Sequence, residues 1–256
     1  MTTVSSTWSS AVRTPQLSLL TVSLTALLLA ACTTTRSPET TGSVSRALAA
    51  ERSPQEWRQL AERASRRYEA DPSDAGVALA YGSALRATGQ SAQAVAVLQQ
   101  AAIRHPGNQD ILAAFGRALA DAGRLEQALD VLKQAHSPAK PDWTILNAQG
   151  AILDQLGRPH AARDYYETAL KIAPNEPAIL SNLGLSYVLS KDLAKAEAAL
   201  KQAVAQPGAT SRIRQNLALV LVLQGRRADA EAAVAADLGA KGAAEMVAAL
   251  SSKQHS

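Results

Sequence analysis

Residues 148–166, AQGAILDQLGRPHAARDYY, and residues 182–200, NLGLSYVLSKDLAKAEAAL, are one pattern written twice, 34 positions apart. Gly150 is answered by Gly184, Ala162 by Ala196 and Tyr166 by Leu200. Carried outward, the register yields one ladder of small residues at Gly82, Gly116, Gly150, Gly184 and Ala218. A second runs through Ala94, Ala128, Ala162, Ala196 and Ala230, and a third through Gly89, Gly123, Gly157, Lys191 and Gly225. Self-similarity at this period marks a two-helix unit repeated along the chain, each unit too small to bury its apolar face alone.

The residue types follow from what a stacked helical hairpin needs. Gly82 and its equivalents sit where two helices of a hairpin cross so closely that only Gly or Ala fits. Gly89 and its equivalents end the first helix with positive φ, which Gly adopts at no steric cost. Lys191 stands in that slot in one unit, with an expected left-handed strain of roughly 1 kcal/mol. Leu98, Leu132, Tyr166, Leu200 and Val234 form a ladder of large core residues, and Ala101, Ala135, Ala169 and Ala203 one that receives the next unit. Pro106 and Pro174 close their second helices, with Pro141 and Pro207 one residue off that slot.

This pattern resembles the tetratricopeptide repeat over residues 75 to about 238, in five units starting at Ala75, Gln109, Trp143, Pro177 and Ser211. The resemblance implies an all-α fold, a right-handed solenoid of about five repeats with capping helices. Asp237 in place of the expected Ala and Arg214 in place of an apolar residue both fall in the last unit, where capping repeats are atypical. Ahead of the array, Ser53-Pro54-Gln55-Glu56 reads as a capping box opening a helix to about Ala70, with Trp57, Leu60, Ala61, Ala64 and Tyr68 as its apolar stripe. After the array, Ala243 to Leu250 reads as a short closing helix.

Composition agrees with helix-on-helix packing: 47% apolar but only 4% aromatic, so alanine and leucine carry the core. The run from Leu17 to Leu29 is apolar, preceded by Arg13, and too short for a comfortable membrane span. It reads as a secretion signal. Its end, Leu29-Ala30-Ala31-Cys32, resembles the lipobox of bacterial lipoproteins, which implies cleavage before Cys32 and acylation of that residue. Several acyl chains hold a protein stably where one does not. Thr33 after the cysteine, in place of Asp, implies the outer membrane and its periplasmic face. Thr33 to about Val44 is rich in Thr and Ser and reads as a flexible tether of about 20 Å. The expected organisation is therefore signal peptide 1–31, tether 32–52, capping helix 53–72, array 75–242 and closing helix with tail 243–256.

Nothing in the chain reads as catalytic. His105, His136, His160 and His255 lack metal-ligand spacing, and Cys32 is the only cysteine. His105 and His136 read as solvated residues at helix ends. No Gly-rich phosphate loop follows a strand, and no serine sits in a nucleophile elbow. The formal net charge of +4 is mild and without a polybasic run, which argues against nucleic acid. The expectation is a non-enzymatic protein with no cofactor, no metal and no small-molecule substrate. Arg124, Arg158, Arg226 and Arg227 follow turns and read as solvated surface, and Arg63, Arg66 and Arg67 form a small cluster on the first helix.

By the repeat resemblance, the first helix of each unit lines a concave face. The early units then offer Arg86, Asp110, Arg117, Asp121, Asn147, Asp154 and Gln155, and the last two offer Leu185, Val188, Leu189, Leu219, Val222 and Leu223. The leucine end reads as a docking strip for an apolar or amphipathic segment, or as a surface that the closing helix covers. Asn182 and Asn216 hold one slot in successive units, and a carboxamide pairs with backbone whatever the sequence it meets. The stretches Asn182-Leu183-Gly184-Leu185-Ser186-Tyr187, Arg214 to Leu221, Leu223-Gln224-Gly225-Arg226 and Leu153 to Arg158 are similar to the TadD family, repeat lipoproteins of tight-adherence (Flp-type) pilus assembly. That resemblance implies a scaffold for the secretion machinery, as a pilotin-like partner of the secretin or of other pilus components. The alternatives are an adaptor for periplasmic cell-wall enzymes or service to another pilus system.

Overall fold

The computed structural model describes residues 52–137 and 139–254. Cys32, the expected signal segment, residues 32–51 of the expected tether and His255 lie outside the described residues. Within them are eleven α-helices and no strand beyond one isolated bridge between Ser137 and Lys140. In chain order they are α1 (Pro54–Ala70), α2 (Ala75–Ala87), α3 (Ser91–Arg104), α4 (Gln109–Asp121), α5 (Leu125–Gln134), α6 (Trp143–Gln155), α7 (Pro159–Ile172), α8 (Pro177–Leu189), α9 (Leu193–Val204), α10 (Ser211–Leu223) and α11 (Arg227–Gln254). The all-α repeat solenoid expected from the ladders is the fold.

Each unit is a hairpin stacked on the next, and the hairpin contact is a small residue against a large one. A Cβ added to Gly82, Gly116, Gly150 or Gly184 would lie 2.5–2.6 Å from the side chain of Leu98, Leu132, Tyr166 or Leu200 respectively. At Gly116 and Gly184 the backbone oxygens of Ala128 and Ala196 also lie within 3.3 Å of that point. The last unit carries Ala218, and there the register position of the large residue is held by the smaller Val234; both are fully buried. The turns after the first helices take φ of 80°, 76°, 72° and 79° at Gly89, Gly123, Gly157 and Gly225, and 61° at Lys191. Lys191 therefore does adopt the left-handed conformation, in a unit whose turn is otherwise ordinary.

A further ladder, not anticipated from the sequence, stacks the units: Val77, Ile111, Ile145, Ile179, Ile213 and Val247, every one buried. Its last rung lies in the closing helix. α11 breaks at Gly239, with φ 70°, and the helical segment beyond the break buries Ala243, Val247 and Ser251. The 34-residue register thus runs into a sixth first helix that has no second helix after it among the described residues. It extends to Gln254, beyond the expected Leu250. At the other end α1 opens on the expected capping box, Glu56 N–H donating to Ser53 Oγ at 3.3 Å and Ser53 N–H to Glu56 Oε2 at 2.6 Å. It buries Trp57, Ala61 and Ala64.

The two irregular residues of the last unit answer each other. Arg214 occupies the slot of Ala78, Leu112, Leu146 and Leu180, and Asp237 that of Ala101, Ala135, Ala169 and Ala203. Arg214 donates from Nε to Asp237 Oδ2 and from Nη2 to Oδ1, both at 2.6 Å. A bidentate, mostly shielded pair of this kind leaves a costly orphan when one partner is removed. Arg214→Leu and Asp237→Ala should each lower stability by about 1–3 kcal/mol, while the double variant, which restores the residues of the other units, should lose less than the sum of the two. Urea unfolding of the four proteins measures the coupling; additive losses would show that the pair does not act as one.

Candidate functional site: the inner face

First helices of successive units touch one another, α2 with α4, α4 with α6, α6 with α8 and α8 with α10, while the second helices of successive units make no comparable approach. The closer-packed side of a stack of hairpins is the inside of its curve, so the first helices form the inner face. The sequence places a row of polar groups there. The structure turns most of them to their neighbours.

Position by position, hydrogen bonds cross from one first helix to the next. Arg86 Nε donates to Asp121 Oδ2 at 2.8 Å, Asn182 Nδ2 to Asn147 Oδ1 at 3.0 Å, and Asn216 Nδ2 to Ser181 Oγ at 3.0 Å. All three pairs are 35 residues apart, one repeat plus one residue. Arg117 is buried and donates to Thr144 Oγ1 at 2.8 Å. Asn147, Ser181 and Asn216 are buried as well. These groups form a polar seam between units: a buried amide must find a partner, and here the partner is the next helix. Arg117 and Asn147 are therefore not open groove residues, and the amide of Asn216 is already spent. Asn182 is half-buried; Asp110 and Gln155 remain at least partly exposed.

The apolar end of the face is smaller than expected. Val188 and Val222 are 7% and 2% exposed and belong to the joints. Leu185, Leu219 and Leu223 are half-buried, and Leu189 is exposed at 36%. Four leucines thus remain at the surface, in two pairs spaced one turn apart on α8 and α10. The buried stripe of the closing helix is confined to Ala243, Val247 and Ser251, and it leaves Leu189 uncovered.

Asp154 sits in the joint between the third and fourth units. It accepts from Tyr166 Oη at Oδ2 and from Ser186 Oγ at Oδ1, each at 2.8 Å. This explains a tyrosine in a ladder of leucines: the ring fills the core and the hydroxyl reaches the carboxylate. Burial pushes the Asp154 carboxyl up to about 6, against the opposing pull of the two hydroxyls and of Arg163. From the turns between first and second helices, Arg158 pairs with Glu126 at 2.9 Å and Arg226 with Glu197 at 2.7 Å, each reaching back to the preceding unit. Two of the arginines expected to be idle surface therefore tie units together. Lys201 and then Arg226 hold the Glu197 carboxyl down at about 2. His105 is likewise engaged, its Nε2 lying 2.7 Å from Ser73 O, and His136 Nε2 lies 3.3 Å from Gln149 Oε1. Arg63, Arg66 and Arg67 lie on α1, away from its buried stripe. Among the described residues no group of three His, Cys, Asp or Glu side chains is placed to hold a metal ion, and no helix is long and apolar enough to cross a membrane.

The raised Asp154 carboxyl carries a sign. The folded chain holds its proton more tightly than the unfolded chain, so this group's contribution is fully present below about pH 4 and is lost as pH rises through about 6. The rise from 3.8 to about 6 corresponds to about 3 kcal/mol. Asp154→Asn should remove that slope: relative to wild type it should gain stability between about pH 4 and pH 7, as read from urea midpoints. Parallel pH profiles for the two proteins would show that the carboxyl does not titrate in the folded joint.

Residues 85–143 and residues 147–210 each match a tetratricopeptide-repeat family model. No curated protein matches the chain. Among solved structures, the APC/C hetero-tetramer Cut9–Hcn1 superposes with a TM-score of 0.60 at 17% identity, over 79% of this chain and 44% of that one; the chain thus spans less than half of it. PilW, described as a widely conserved type IV pilus biogenesis factor, gives a TM-score of 0.64 at 17% identity, over 76% of this chain and 91% of that one. TTC0263, a thermophilic protein of the same repeat class from Thermus thermophilus, gives 0.57 at 23% identity, over 72% and 100%. At these identities the likeness is one of fold.

Proposed function

We propose that this solenoid of tetratricopeptide repeats is a lipid-anchored scaffold for a protein partner, serving assembly of tight-adherence (Flp) pilus secretion machinery. The observation that carries the reading is the set of four leucines, Leu185, Leu189, Leu219 and Leu223, left at the surface of an inner face most of whose polar groups are turned to their neighbours. A partner segment with an apolar stripe buries them. Asn182 and Asn216 serve the site by fixing the spacing of α6, α8 and α10, and the half-buried Asn182 keeps a carbonyl oxygen for the partner's backbone. Anchoring rests on the sequence Leu29-Ala30-Ala31-Cys32 and puts the array at the periplasmic side of the outer membrane. The pilus assignment is supported by the resemblance to the TadD family and, at the level of fold, by the likeness to PilW. The secretin is the first partner to test, and a cell-wall hydrolase or synthase is the competing one.

Photo-crosslinkers at Leu189 and Leu223 in intact cells identify the partner. The expected products are pilus secretion components, and Leu189→Glu with Leu223→Glu should cut their recovery roughly tenfold or more while leaving helicity and melting unchanged. Crosslinks to cell-wall enzymes alone would transfer the scaffold to that role. Labelled palmitate should enter the wild-type protein and be absent from Cys32→Ser; a wild-type protein that takes up no label would remove the anchor.

A further inference from the structure

One joint of the stack is built differently from the others. Between the second and third units, α5 stops at Gln134 and the next helix starts at Trp143, whereas α3 and α7 run on to Arg104 and Ile172, a few residues short of Gln109 and Pro177. α5 therefore meets α6 along less of its length than α3 meets α4 or α7 meets α8. At this joint two ladder positions that are apolar in the other complete units turn polar together. His136 occupies the slot of Ala102, Leu170 and Val204, and Gln149 that of Tyr81, Phe115, Leu183 and Leu217. Gln149 is 1% exposed and its Oε1 accepts from His136 Nε2 at 3.3 Å, a long bond. His136 Nδ1 is buried and has no hydrogen-bond partner among the described residues. The inner side of the same joint is polar as well, through Arg117 and Thr144.

A partly satisfied buried polar contact holds a joint less firmly than an apolar one, because water repays on opening what the protein supplied on closing. The apolar thread is kept: Ala135 and Ile145 remain in the continuous core, so the two sides stay attached. The other joints between complete units carry a large apolar residue at the position of Gln149, and only the closing helix, with the small Ser251, also places a polar one there. We infer that the array bends here, the blocks 54–134 and 143–254 pivoting about the His136–Gln149 contact and so changing the aperture of the inner face. The stack is then two stiff segments, with the four surface leucines on the second.

Native-state hydrogen exchange on the full chain tests this without any partner. Amides of 145–151 should exchange about tenfold faster than those at the same register, 179–185 and 213–219. His136→Leu combined with Gln149→Leu should abolish the difference. Equal protection in the wild type, or protection that the double substitution leaves unequal, overturns the proposal. A second measurement separates bending from local fraying. In a Cys32→Ser background, spin labels on Gln99→Cys and Ala232→Cys span the joint, and labels on Glu167→Cys and Ala232→Cys lie within one block. The spanning distance should be broad in the wild type and narrow in the double variant, while the other stays narrow throughout. A narrow spanning distance in the wild type overturns the hinge, even if the double variant fails to fold.

Discussion

The structure depends on one contact, repeated in five hairpins: a residue without a side chain, or nearly so, on the first helix, set against a large side chain on the second. The space at Gly82, Gly116, Gly150 and Gly184 is filled to within 2.6 Å of where a Cβ would stand. Close packing of that kind fixes the angle and spacing of the hairpin, because neither helix can slide without opening a void or meeting a clash. Repeating it with the same 34-residue spacing fixes the same hairpin each time. The isoleucine and valine rungs from Val77 to Val247 then stack the hairpins, and the curve with its inner face results.

Polar groups take a second part in the same construction. A solenoid has many joints and each exposes backbone and side chains that a globular core would cover. Here Arg86–Asp121, Asn147–Asn182, Ser181–Asn216, Arg158–Glu126 and Arg226–Glu197 bind successive units to each other. Pairs exposed at the rim contribute little each, and the buried amides matter through what their loss would leave unpaired. The inner face is left with few free charges and one apolar end. Such a face is suited to apolar contact and shape more than to charge.

Much of the fold is legible in the sequence because its determinants are periodic. A glycine every 34 residues needs no neighbour to be interpreted, and the left-handed turn at Lys191 follows from register alone. Other periodic signals are present in the chain and carry less weight until the helices are seen: the Val/Ile rungs, and the first-helix caps at Asp74, Asn108 and Asp142, whose side chains accept from the helix N–H groups. The site is less legible, because a pairing between units depends on two residues and on the rotation of both helices. That Asn182 and Asn216 share a slot is visible in the sequence; that each donates to the preceding first helix is not. Arg214 and Asp237 stand out as separate departures, yet only the hairpin geometry makes them one substitution. Val188 and Val222 group with the leucines in the sequence because an apolar helix face spans about 100° or more, and the joint claims part of it.

The contact that orders all of this is best tested where the repeats vary it, at Ala218 and Val234. If small against large is the determinant, Ala218→Gly alone should open a void and Val234→Leu alone should clash, each costing about 1–3 kcal/mol. Together they recreate the pairing of Gly184 with Leu200, and by urea unfolding the double variant should return to within about 1 kcal/mol of wild type, the cost of glycine relative to alanine inside a helix. A double variant that loses the sum of the two single losses would contradict the account.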